Sequence, residues 1–440
     1  MFRYAAFALL LLAAPACWAQ DCTADVGLAA GLKLDVHYRC RSDRPLVFDP
    51  GGRVDSKGGV VDFRYKVALA DRDADPHELI LRGRGGEPGA LATLGTWLAE
   101  PRGFDHLPVI DLRVTAADGL AFAAGLPRVG DAWRLAGTSV SFAGYSALGH
   151  VSVQEIAVPA PGSLRPEAAK EQGVLRLAIL DGVSDTARAD LAQWVRRTAE
   201  AESNYWQGFT ARQMLVGLVP TGARGPAGYG RTVSGGGPTV MVEVNRDVDA
   251  ARLLTDWVLV HELVHTGMPY LMRRATWFME GAATYVEPII RARAGWKSEP
   301  EVWREWLDNM PRGVDAFSRG LANASGREVY WAGALFMLMA DIAIHRESNG
   351  AKGLRDCLAG ALWSGFDGPR RVLLKDYAAA CDRATGTHVV SELIERYEGP
   401  GHPVDLAALW KELGVGDVEG RIVLDDTAPL ARWRKMIVMG

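Results

Sequence analysis

The segment His261-Glu262-Leu263-Val264-His265 constrains this chain more than any other. Two imidazoles four residues apart converge on one small cation when the backbone between them is helical, because positions i and i+4 then differ by about 40° around the axis and lie one turn apart. Glu262 is turned by about 100° from His261, so it can reach a metal-bound water without being a ligand, the division of labour of the HExxH motif. The lead-in from Leu253 to Val260 is apolar enough for a buried helix that would hold the pair rigid. Fifteen positions past His265 stands Glu280, inside the apolar helical pattern of Trp277, Phe278, Met279, Ala282, Ala283, Tyr285 and Val286. A lone carboxylate is costly to bury on such a face, and a cation partner is the simpler account. His261, His265 and Glu280 are therefore the expected metal ligands, with one zinc per chain as the expected cofactor.

The N-terminus, Met1-Phe2-Arg3-Tyr4 followed by a short Ala/Leu-rich stretch ending at Cys17-Trp18-Ala19, reads as a secretory signal peptide over residues 1–19. The expected location is secreted or periplasmic. Cys17 leaves a lipoprotein alternative, disfavoured because Ala14-Pro15-Ala16 lacks the usual leucine. No transmembrane segment is expected, since the best later candidate, Trp331 to Ile344, is too short and contains Asp341. A formal net charge of -4 without a basic cluster speaks against nucleic acid as a partner. Cys22, Cys40, Cys357 and Cys381 form two local pairs, so Cys22–Cys40 and Cys357–Cys381 are the natural disulfides in an oxidising compartment, although four cysteines allow three pairings.

The fold class expected is multidomain α+β. Residues 20–165 read as an N-terminal β-sandwich-like domain, because short strand-like runs such as Leu32 to Tyr38, Val60 to Val67, Val109 to Val114, Thr138 to Phe142 and His150 to Val153 recur between Gly, Asp and Pro breaks. Pro159-Ala160-Pro161-Gly162 marks the boundary. Residues 166–397 form the α/β unit that carries the motif. Its strands are expected from Val174 to Leu180, Met214 to Val219 and Thr239 to Asn245, its first helix from Asp185 to Ser203, and the pattern is mainly helical after Glu280. Residues 398–440 read as a C-terminal helix, from Pro403 to Leu413, and a tail. The Gly-rich stretch from Gly222 to Pro238 lacks phosphate-loop spacing and suits a mobile flap over a cleft. Gly144-Tyr145-Ser146-Ala147-Leu148 is only near a nucleophile elbow, since Leu148 occupies the second glycine position.

These residues resemble those of the gluzincin metallopeptidases, and in layout the glycyl-aminopeptidase-like family, whose members often join a β domain, a thermolysin-like catalytic domain and a PDZ domain. Trp277-x-x-Glu280-Gly281-x-x-x-Tyr285-x-Glu287 looks like the third-ligand helix of that family and of the related aminopeptidase N family. The resemblance makes Glu280 a ligand and Glu287 a carboxylate that orients a zinc-bound imidazole. Val329-Tyr330-Trp331-Ala332-Gly333-Ala334 resembles the family segment whose tyrosine hydroxyl stabilises the oxyanion, which implies that role for Tyr330.

The chain departs from the pattern in three places. The interval between His265 and Glu280 is short, too few residues follow Leu413 for a PDZ domain, and Gly235-Gly236-Gly237 stands where an amine-anchoring glutamate is expected. Those glycines and the strand after them, read as an edge strand, are instead expected to hold an extended peptide by strand addition. The function implied is an exported zinc metallopeptidase acting on a peptide or protein substrate, with Glu262 as general base; the oligomeric state is not legible. Two rivals stand beside it, a catalytically weak peptide-binding envelope protein on the same fold and a zinc hydrolase of a non-peptide substrate.

Overall fold

A computed structural model describes residues 21–83, 87–158, 173–222, 224–272, 274–368 and 370–440. The signal segment with Cys17, the Pro159–Gly162 boundary and the division at 165/166 lie outside the described residues.

The N-terminal part is built from a six-stranded, a four-stranded and a three-stranded sheet around one apolar core. In the six-stranded sheet, Cys22–Ala29 pairs antiparallel with Lys33–Arg41 and parallel with Ile110–Ala116. Strict alternation of buried and outward residues along Lys33–Arg41 turns Leu34, Val36, Tyr38 and Cys40 inward. The same register sets Cys22 directly opposite Cys40, and the two form a disulfide. Thr138–Phe142 is not a strand; Val140–Phe142 is a turn of 3₁₀ helix. Ser146 lies fully buried on the strand Tyr145–Gly149, where it accepts from Trp97 Nε1 and donates to the Ala92 carbonyl, so it is a core hydroxyl and not a nucleophile.

The second part opens on a five-stranded sheet with the order Val151–Val158, Gly173–Leu180, Gln213–Thr221, Thr239–Asn245, Ala227–Val233. The three inner strands are parallel, and both edge strands run antiparallel to their neighbours. Two sequence expectations change here. The run from His150 to Val153, assigned from its rhythm to the β domain, belongs to the strand Val151–Val158, which hydrogen-bonds into this second sheet instead, so the sheet begins well ahead of residue 165. The presumed flap contains the edge strand Ala227–Val233, and Thr239–Asn245 is an inner strand.

One face of this sheet packs on the four-stranded sheet through Leu91, Tyr145, Ala178, Leu215 and Met241. Its other face buries the helix Asp185–Trp206 and the helix Val258–Thr266. Beyond, a large helical core surrounds Glu328–Glu347. This helix is long and apolar enough by length and composition to cross a membrane, and most of that apolar stretch is buried inside the protein. The second disulfide, Cys357–Cys381, joins Leu354–Trp363 to Leu374–Thr385 within the same core. Residues 398–440 are more than a helix and tail. After Leu406–Leu413 come a hairpin, Val415–Val418 with Arg421–Leu424, and the helix Ala431–Met439, whose Ile437 and Val438 join the helical core.

Candidate metal centre

The HExxH helix, Val258–Thr266, is a wedge between two cores. Val258, Leu259 and Leu263 pack into the sheet side, while Val260 and Val264 pack into the helical side. That leaves one face for His261 and His265, which looks into a cleft of about 500 Å³. Asp256 fixes the start of the helix, with Oδ1 accepting from Val258 N at 2.8 Å and Oδ2 accepting from Ala227 N at 3.1 Å. One carboxylate thus ties the helix to the first residue of the edge strand.

Only nine residues separate Thr266 from the next helix, Thr276–Arg293, and the tight exit depends on Gly267. A Cβ there would meet the Trp206 ring at 2.6 Å. Glu280 then depends on a second close approach. A Cβ on Gly281 would sit 2.2 Å from Gly333 Cα, and one on Gly333 would sit 1.9 Å from the Trp277 carbonyl, so Thr276–Arg293 and Glu328–Glu347 touch backbone to backbone. Glu280 directly precedes one of these glycines and Tyr330 stands one turn before the other. This contact brings both side chains to the same cleft.

His261 Nε2 and Glu280 Oε2 are 3.3 Å apart, His265 Nε2 and Glu280 Oε2 3.4 Å, and the two Nε2 atoms 3.3 Å. Tetrahedral bonds of about 2.0–2.1 Å, usual for zinc to nitrogen and oxygen, require donors separated by roughly 3.3–3.4 Å. The donor set and its spacing therefore fit zinc. Burial raises the Glu280 carboxyl, but the His261 and His265 imidazoles more than offset it and hold the group well below the usual carboxylate range. At His265 burial works against the charged ring, and Glu280 overcomes it, so the imidazole is shifted up. Both shifts express the attraction between the carboxylate and the imidazoles.

Glu262 points into the same cleft beside the edge strand. Thr232 Oγ1 lies 2.7 Å from Glu262 Oε2 and 2.8 Å from the Glu262 carbonyl oxygen. A Cβ on Gly230 would come within 2.6 Å of Glu262 Cγ, so this glycine serves the close passage of the HExxH helix. Tyr330 is partly exposed in the cleft with its ring 6.1 Å from that of His261. Burial, then the carboxylates of Glu280 and Glu262, push its phenol up, which keeps it a neutral donor.

Four expected site residues lie elsewhere. Glu287 bonds neither imidazole; it accepts from Arg291 Nη1 at 2.6 Å, and Arg291 Nη2 donates to the Thr255 carbonyl at 2.7 Å. Its pull on the site runs through the segment entering the HExxH helix. The glycines Gly235, Gly236 and Gly237 are outside the cleft lining and pack on the β domain. Added Cβ atoms would strike Phe142 O at 2.0 Å, Leu135 Cδ1 at 2.6 Å and Gly125 O at 2.2 Å respectively. The cleft is lined instead by Gly228 to Ser234. Thr232, Asp256 and Arg291 gave no sequence signal, because each acts through a partner distant in the chain. Trp257 was legible in principle, standing one turn before His261.

Burial, with the Glu305 carboxylate, pushes Glu287 up to about 8, against the pull of Arg291. The folded chain then holds this proton more tightly than the unfolded chain, whose carboxyl titrates near ~4.3. Stability from this group is present at low pH and is lost as pH rises from about 4.3 to 8. Glu287→Gln, which resembles the protonated form, is expected to flatten that decline by on the order of 2 kcal/mol in urea unfolding at pH 5 and pH 8. Equal pH slopes for the two proteins would contradict the assignment.

Neither protein-family models nor curated proteins match the sequence. Solved structures do match the fold. An aminopeptidase N family protein from Idiomarina loihiensis superposes with a TM-score of 0.59 at 14% identity, covering 90% of this chain and 78% of that one. A two-domain M1 zinc metallopeptidase bound to L-arginine gives 0.53 at 15% identity, covering 88% and 95%. An M1 zinc metallopeptidase from Deinococcus radiodurans gives 0.51 at 14% identity, covering 88% and 94%. The chain has the fold of the M1 zinc metallopeptidases, a gluzincin fold. Within it, the His261, His265 and Glu280 donors form a centre that fits a zinc ion.

Proposed function

We propose that this protein is an exported zinc-dependent metallopeptidase that hydrolyses peptide bonds, with one zinc per chain held by His261, His265 and Glu280. The observation that carries this reading is the convergence of three donor atoms at 3.3–3.4 Å spacing beside the Glu262 carboxylate in one cleft. Zinc in such a site supplies Lewis acidity toward the scissile carbonyl and lowers the pKa of a water toward ~7. Glu262 takes the proton of the attacking water and passes it to the departing amine. Thr232 steadies that carboxylate from the edge strand. The Tyr330 hydroxyl donates to the carbonyl oxygen as negative charge develops there. Ala227–Val233 is the last strand of its sheet, so a peptide can pair with its outer edge beside Glu262. Two disulfides support export into an oxidising compartment.

The test is a peptide-library digest with native protein, chelator-treated protein and Glu262→Gln side by side. Cleavage by the first alone is expected; equal cleavage after chelation would sink the reading. Tyr330→Phe is expected to lower kcat by about 10–100-fold with little change in KM, because its hydrogen bond strengthens only as charge develops. A change in KM alone would assign Tyr330 to substrate binding.

A further inference from the structure

Among the described residues, four aromatic side chains are exposed, Trp257 at 50%, Tyr229 and Tyr270 at 41% and Tyr330 at 36%, and all four line the cleft of the metal centre. Single exposed apolar residues scattered over a surface need no explanation, whereas a concave group of them marks a binding surface. All four rings have ring neighbours, and two of the four are already accounted for. Tyr330 faces the reacting carbonyl in the proposed reaction, and the Tyr229 ring packs on His77 at 4.7 Å. The other two stand at opposite ends of the HExxH helix. Trp257 precedes it, with its ring edge-on to His261 at 5.4 Å; Tyr270 follows it, with its ring against Phe142 at 5.7 Å. Trp257 stands four residues before His261 and Tyr270 five residues after His265, so the two flank the metal donors along the chain and line the same cleft. Apart from the metal donors and Glu262, the charged groups lining the cleft are Glu78 and Arg231. They oppose each other in sign, and Arg231 already donates to the His77 carbonyl at 3.1 Å. Charge therefore gives this cleft little to select on, and apolar area gives it much.

Resting on the metallopeptidase reading, we infer that the cleft selects peptides with large apolar, above all aromatic, side chains on both sides of the bond cut, with Trp257 the specificity determinant on one side and Tyr270 on the other. A substrate ring seated against either one leaves water together with the exposed protein ring, and the gain is lost for alanine.

The test uses octapeptides with free termini carrying Phe or Ala on either side of one bond, with products read by mass spectrometry. Native protein is expected to favour Phe over Ala by about ten- to a hundredfold in kcat/KM on each side. Trp257→Ala is expected to bring the ratio within threefold on one side only, and Tyr270→Ala on the other; Trp257→Leu should give an intermediate ratio. Native-like ratios in both Ala variants, or no preference in native protein, would overturn the inference. The same peptides are titrated calorimetrically into Glu262→Gln protein with and without Trp257→Ala or Tyr270→Ala. If no peptide is turned over, the metallopeptidase reading fails while this arm still decides: tenfold tighter binding of Phe peptides that either Ala change abolishes upholds the aromatic subsites, and equal binding overturns them.

Discussion

Glu262→Gln is expected to lower kcat/KM by about 10²–10⁴-fold, the range for removal of a general base, while zinc content and thermal stability stay close to those of the native protein. The separation follows from the geometry. Glu262 is not among the three donors that converge at 3.3–3.4 Å. The substitution keeps the side-chain length, and the amide oxygen can still accept from Thr232, now 2.7 Å from Glu262 Oε2. It removes only the capacity to take a proton at neutral pH. Three measurements check this: steady-state kinetics on a peptide from the library digest, zinc per chain by atomic emission, and thermal unfolding. Activity within threefold of native protein would rule out Glu262 as the base. Loss of zinc together with activity would recast it as part of the metal-holding set.

His265→Ala is expected to reduce zinc content from near one per chain to below about a tenth after dialysis, and to abolish activity. A catalytic zinc site has three protein donors, and losing one removes both a bond and the geometry that excludes other ligands. It also leaves Glu280 with one imidazole where it now has two, 3.3 Å and 3.4 Å away. The β domain has its own core, which contains none of these residues, and its own disulfide. A protease-resistant fragment spanning Cys22 to about Leu148 should therefore survive in the variant. Full zinc occupancy in His265→Ala would remove the proposed centre altogether.

Glu287 shows why part of the site could not be read from sequence. It lies seven positions after Glu280, so on a helical wheel it shares the face of the ligand within about 20°. Along the axis it is about 10.5 Å farther on, beyond reach of either imidazole. There it meets Arg291, and through it the Thr255 carbonyl. Azimuth was legible and axial position relative to another helix was not. The glycines erred differently. Glycine enrichment signals that something comes close, but not what. At Gly235 and Gly237 it is the backbone of the β domain, and at Gly230 it is the Glu262 side chain. The same ambiguity hid the edge strand inside an apparent flap.

What the chain determines by itself is local. The i, i+4 spacing of His261 and His265 makes a two-nitrogen site in any helix, the apolar setting of Glu280 calls for a partner for its charge, and the closeness of Cys22 and Cys40 along the chain points to their pairing. Tertiary structure decided everything that depends on two distant segments meeting. The Gly281–Gly333 contact sets Glu280 and Tyr330 in one cleft, and Asp256 pins the HExxH helix to Ala227. Ala227–Val233 is the outermost strand of its sheet among the described residues, which sets its backbone edge beside Glu262. Periodicity reports which way a side chain leaves its own element. Which element stands opposite is settled by packing between surfaces, and that information is spread over residues far apart in sequence.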